Sequence, residues 1–133
     1  MQPHQALMVG SVIAGLSVVT GAFGAHWLKT ELPRRGLAET EQRQQLDNWD
    51  VAVRYQMYHA LALIAIGLMN QGSSNSLPLR IASVLFVIGI LIFSGSLYVL
   101  VLSGMKILGA IVPIGGIAMI AGWIAFAIGA AKR

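Results

Sequence analysis

The 133-residue chain contains no cysteine, so it can build no disulfide framework, zinc-thiolate site or cysteine nucleophile. Charge is scarce as well. Only 11% of residues are Asp, Glu, Lys or Arg, where soluble domains carry about 25%, and this excludes both a disordered chain and a soluble enzyme with a charged surface. All five acids fall between Glu31 and Asp50, so every other stretch lacks a carboxylate. No P-loop, GxSxG or HExxH motif and no pair of catalytic carboxylates is present, which argues against a conventional hydrolase or kinase. The pI near 10 does not point to nucleic acid, because the nine basic residues are scattered and form no stripe. A non-enzymatic protein with no nucleic-acid partner is expected.

What remains is apolar. Hydrophobic residues make up 56% of the chain, 15 glycines are set among them, and mean hydropathy is +0.74. Such a composition belongs to an integral membrane protein whose solvent partner is the lipid bilayer. Ala6 to Leu28 is uncharged and, at about 1.5 Å per residue, long enough to cross a hydrocarbon core of about 30 Å. Further spans are expected at 52–69, 81–103 and 107–131, with Asn70–Pro78 as a Gly/Ser/Asn/Pro connection and Gly104–Lys106 as a tight turn. The fold class is therefore all-α: a single membrane domain over residues 1–133, folded as an antiparallel four-helix bundle. Met1-Gln-Pro-His carries no Lys or Arg, and the apolar run exceeds a signal-peptide core, so the first span is expected to be retained.

The polar segment 29–51 is expected to be partly helical. Glu39 to Asp50 is rich in helix formers and free of Gly and Pro, while Pro33 and Gly36 interrupt the chain before it. Asp50 precedes Arg54 by four residues, the favourable order for a helical ion pair. The second helix should thus extend out of the membrane at its N-terminal end, starting near Ala38, with Trp49 at the water interface. The alternative is a disordered loop.

Small residues suggest how the helices meet, since close backbone approach is what lets helices associate in lipid. Gly10, Ala14, Ser17, Gly21 and Gly24 form one stripe at steps of three and four, and Gly115, Ala118, Gly122, Ala125 and Gly129 form another. Ala82, Gly89, Ser96 and Ser103 recur every seven residues, a period that keeps one face toward a partner in a left-handed bundle. The same stripes could face a second subunit, so a homo-oligomer is an open expectation.

Polar residues within the spans gather at one level. The face carrying Lys29–Asp50 and Lys106 is here called the hairpin face. His26 lies just inside it, and His59, Ser94 and Ser96 lie about 10–13 Å deep by helical rise. Tyr55 and Gln56 share a face with His59, and Tyr98 is nearby in level. Two readings stand side by side. One is a polar pocket in which His26 and His59 exchange protons for a small transporter or channel, its solute unknown. The other is a structural network of hydrogen-bonded side chains gluing helices together. Two histidines with no carboxylate or thiol at their depth make no metal motif, so no metal or cofactor is expected. Pro113, followed by Gly115 and Gly116, marks a candidate helix break early in the fourth span.

Four segments carry a family resemblance: Gly21-Ala-Phe-Gly-Ala-His26, Tyr55-Gln-Met-Tyr-His-Ala-Leu-Ala62, Phe93-Ser-Gly-Ser-Leu-Tyr98, and Pro113-Ile-Gly-Gly116 with Gly122-Trp123. In these the chain resembles small bacterial inner-membrane proteins of the YgdD/YwdK type, which have small transmembrane relatives in animals. The resemblance implies a multi-pass inner-membrane protein of about four helices and supplies no substrate or catalytic residue. Val112 departs from it, standing where relatives often have threonine, and Arg34–Asp50 is more polar than the flanking motifs. For orientation, Lys29, Arg34, Arg35, Arg43, Arg54 and Lys106 lie on the hairpin face, against Arg80, Lys132 and Arg133 on the other. The positive-inside rule then places the hairpin face in the cytoplasm and the termini outside.

Overall fold

The computed structural model describes residues 1–69 and 76–132. Among these the regular structure is all helical, as α1 (Pro3–Phe23), a π-helical turn (Gly24–Leu28), α2 (Lys29–Arg34), α3 (Glu39–Met69), α4 (Leu77–Ser103), a 3-10 turn (Lys106–Ala110) and α5 (Val112–Ala131). Four helical stretches are long and apolar enough to cross a membrane: Pro3–Arg34, Glu39–Met69, Leu77–Ser103 and Lys106–Ala131.

The first of these differs from expectation. Rather than ending at Leu28, the helix runs on through the π turn and past Pro33 to Arg34, and Gly36, at φ 70°, ends it. Pro33 has no N–H to give back to the preceding turn, and the helix ends one residue after it. The second helix does begin at Glu39 and projects beyond the apolar stretch. Its first turn is secured by Gln42, whose N–H donates to Ala38 O and whose Nε2 donates to Leu37 O at 2.7 Å. Arg54 Nε lies 3.0 Å from Asp50 Oδ2.

Of the expected connection, residues 70–75 lie outside the described residues. Leu77 and Pro78 already belong to α4, with the proline in the first turn, where no N–H is needed. At the other end Gly104 adopts φ 74° and closes the helix with its N–H on Leu100 O. Only Gly104 and Met105 separate α4 from the 3-10 segment that leads into α5.

The bundle rests on a central pair. Packing runs α1 on α3, α3 on α4 and α4 on α5. Within the apolar windows, 44% and 39% of residues are buried in the two central spans against 17% in each outer one. The small-residue stripes make these contacts. Gly10 leaves α3 so close that a Cβ would stand 2.8 Å from Ala60 O, and Ser17 is buried one face-turn away. On α5, Gly115, Gly122 and Gly129 meet Phe93, Phe86 and Leu79, so both antiparallel helices keep a seven-residue register. The seven-residue stripe of α4 itself holds only at Ala82 and Gly89, since Ser96 is half-buried and Ser103 exposed. A straight helix drifts about 20° per heptad, and the buried face passes to Ser94, Leu97 and Val101.

Among the described residues, two apolar clusters fill the interior. One, toward the termini, centres on Leu63, Ile66, Leu79, Phe86 and Met119. The other, under the hairpin face, centres on Leu28, Leu32, Trp49, Leu100 and Val101.

Candidate functional site

Between those clusters lies the polar level, and it is two sites rather than one. Gln56 and His59 are three residues apart on α3, both buried, and they turn toward different neighbours.

Gln56 is the hub of the first. Its Nε2 donates to Ile13 O of α1 at 3.1 Å, and its Oε1 accepts the Tyr98 hydroxyl of α4 at 2.8 Å. With that O–H spent, the Thr20 hydroxyl, 3.2 Å from Tyr98, has one proton to turn either to Tyr98 or to Leu16 O of its own helix at 3.1 Å. Trp49 Nε1 donates to Thr20 O at 2.8 Å, and its ring packs on Tyr98 at 4.6 Å between centroids. Nearby, Ser94 Oγ donates to Ala52 O at 2.8 Å, tying α4 directly to α3. One carboxamide thus bridges three helices, and every polar atom named here is paired.

Trp49 is buried, 5% exposed, instead of lying at the water interface. The cause is local. Gly24 opens the π turn and has no side chain, and a Cβ there would overlap the indole. The hydrogen bond to Thr20 then supplies the partner that a buried indole requires.

His59 anchors the second site, 4% exposed. Its Nδ1 lies 2.7 Å from Tyr55 O, and Trp123 Nε1 of α5 donates to Nε2 at 3.1 Å. An indole only donates, so Nε2 accepts and Nδ1 carries the proton to the carbonyl. Both ring nitrogens are used in this tautomer. The imidazole also meets Phe86 edge-on at 5.2 Å. Beside it a groove of about 470 Å³ is lined by Tyr55, Tyr58, His59, Phe93, Gly116, Met119, Ile120 and Trp123. Tyr55, Tyr58 and Ile120 are exposed on its flanks.

Two residues of the expected cluster stand apart. His26 is exposed in the π turn. It is two residues from both Gly24 and Leu28, the buried positions of that turn, and so lies across the helix from α3. Its direction around the helix differs from expectation. Ser96 is half-buried and makes none of the bonds described above. Tyr55 enters through its carbonyl and its ring, which stacks on Phe93 at 4.7 Å.

The helix interruption falls ahead of Pro113, in the 3-10 turn Lys106–Ala110, and the proline sits in the first turn of α5. Gly115 serves the contact with Phe93 and Gly116 lines the groove. Thr20 and Trp123 were not singled out from composition or spacing. Thr20 lies eight residues before Leu28, about 12 Å deep, so the same depth arithmetic would have found it. Trp123 completes an i, i+3, i+4, i+7 stripe with Gly116, Met119 and Ile120. Among the described residues no three His, Cys, Asp or Glu side chains come together as a metal site.

Comparison with known proteins bears on the whole chain. Residues 20–116 match the family model described as a protein of unknown function, DUF423. A UPF0382 membrane protein of Staphylococcus saprophyticus is 40% identical over 126 residues, 95% of this chain and 96% of the relative. One from Staphylococcus haemolyticus is 41% identical over 95% of this chain and 94% of its own length. The UPF0382 membrane protein YwdK of Bacillus subtilis is 38% identical over 95% of this chain and 95% of its own. No solved structure matches. The chain belongs to this family of membrane proteins of unknown function.

Proposed function

We propose that this member of the DUF423 family works in the bacterial inner membrane as a non-enzymatic, multi-pass helical component of an assembly, with its intramembrane polar groups spent on joining its own helices. The observation that carries this reading is the pairing around Gln56 and His59. The Gln56 carboxamide is divided between α1 and α4, and both His59 nitrogens are held by Tyr55 and Trp123. Each ring nitrogen of His59 and each polar atom of the Gln56 carboxamide has a partner within the chain. The exposed flanks of the outer helices suit contact with further subunits, including copies of the same chain.

A small transporter or channel is the second reading, favoured by the groove beside His59. Proton flux into proteoliposomes separates the two. The scaffold reading expects flux no greater than in empty vesicles, for the parent and for His59→Ala alike. Flux in the parent that disappears in His59→Ala overturns it in favour of transport.

Orientation follows the basic residues, six on the hairpin face and three on the other. With the termini outside, a C-terminal alkaline phosphatase fusion is active and a C-terminal fluorescent-protein fusion is dark. The reverse pattern refutes this placement.

A further inference from the structure

A second cavity, distinct from the intramembrane level, lies under the hairpin face. Four residues of the α3 extension, Glu41, Gln44, Gln45 and Asn48, follow the i, i+3, i+4, i+7 spacing of one helical face and form one wall. The opposite wall is the end of α4 and the turn into α5, where Leu97, Leu100 and Val112 make an apolar floor and Lys106 stands at the mouth. The cleft measures about 480 Å³, within the range of small-molecule sites.

Its chemistry is specific. Lys106 Nζ and Glu41 Oε1 face each other across the opening at 4.0 Å, beyond hydrogen-bond distance. The two charges attract without being bonded, and a ligand carrying both signs can take one each. A bare anion would meet Glu41 and a bare cation would meet Lys106. Three carboxamides, of Gln44, Gln45 and Asn48, line the wall beside these charges. Each carboxamide carries an oxygen that accepts from an ammonium and an N–H that donates to a phosphate. The apolar floor accepts methylene groups.

We propose that this cleft binds a zwitterion with a primary ammonium and a phosphate ester: the phosphate on Lys106, the ammonium on Glu41 and the carboxamide wall. Two sources carry this group, an ethanolamine phospholipid at the membrane surface and a water-borne phosphoethanolamine ester. The site is independent of the scaffold reading, since none of its polar residues belongs to the intramembrane level.

The test uses the full chain in mixed bilayers of phosphatidylethanolamine, phosphatidylcholine and phosphatidylglycerol, with retained lipid read by native mass spectrometry. Soluble glycerophosphoethanolamine is titrated in a separate arm, read by thermal shift. Selective retention of phosphatidylethanolamine identifies the lipid source, and stabilisation by the soluble ester alone identifies the water-borne one. Glu41→Gln and Lys106→Gln alter exposed side chains, and circular dichroism checks their helicity. Each is expected to weaken binding about tenfold, the loss of one charge-assisted contact. Retention of phosphatidylcholine equal to phosphatidylethanolamine overturns the proposal, because choline has no N–H to donate. So does preference for phosphatidylglycerol, binding unchanged in both variants, or no binding in either arm.

Discussion

The two faces of α3 solve the same problem in different ways. Toward α1, Gln56, Thr20, Trp49 and Tyr98 close on one another, and the glycines of the first span bring the backbones near enough for side chains to reach main-chain carbonyls. Toward α5, His59 is equally well paired, yet its partner Trp123 is 43% exposed and a groove remains alongside. Full pairing does not require close packing. On the first side the small residues stand opposite large ones that fill the space, Gly24 against Trp49 and Gly10 against Ile64. On the second, Gly116 meets nothing nearer than 3.9 Å, and the space stays open.

The contrast is sharpest for the two tryptophans. Trp49→Ala removes a buried ring and is expected to cost about 3–5 kcal/mol. Trp123→Ala loses one hydrogen bond and the covered part of a ring, about 1–2 kcal/mol. Unfolding titrations in mixed micelles measure both. Equal losses would show that the closed and open faces do not differ in energy.

Glycines provide the next comparison. A methyl on Gly122 would stand 2.7 Å from the Phe86 ring, and Gly122→Ala is expected to destabilise by about 1–3 kcal/mol. Gly116→Ala adds a methyl to open groove and should stay within about 0.5 kcal/mol of the parent. The same titration reads both, and a costly Gly116→Ala would mean that the groove closes in the membrane.

The smallest effect concerns hydroxyls. Tyr98→Phe leaves Gln56 Oε1 buried without its donor and is expected to cost about 1 kcal/mol, in the range measured for hydrogen bonds between membrane helices. Tyr58→Phe, on the exposed flank of the groove, should change thermal stability in detergent by nothing measurable. A stability loss at Tyr58 instead would place its hydroxyl in a bond that the open face does not show.

Much of the architecture was legible in residue order because the relevant signals are local. Charge-free runs set the four spans, the helix-forming stretch from Glu39 set the extension of α3, and the glycine spacing of the outer helices named the faces that pack. Depth was legible for the same reason: each helical residue advances about 1.5 Å, so Thr20, Gln56, His59 and Ser94 had to fall near one level. Direction around the helix axis was decided only by the tertiary structure. A π turn at Gly24–Leu28 sends His26 outward while making room for Trp49, and the drift of a 3.6-residue helix against a seven-residue stripe carries Ser96 off the buried face, while Ser94, about 200° round the helix, bonds to α3. Three residues on α3 then separate Gln56 from His59 and hand them to different neighbours. Position along a helix is counted from its end, but the way a side chain faces is fixed by what packs beside it.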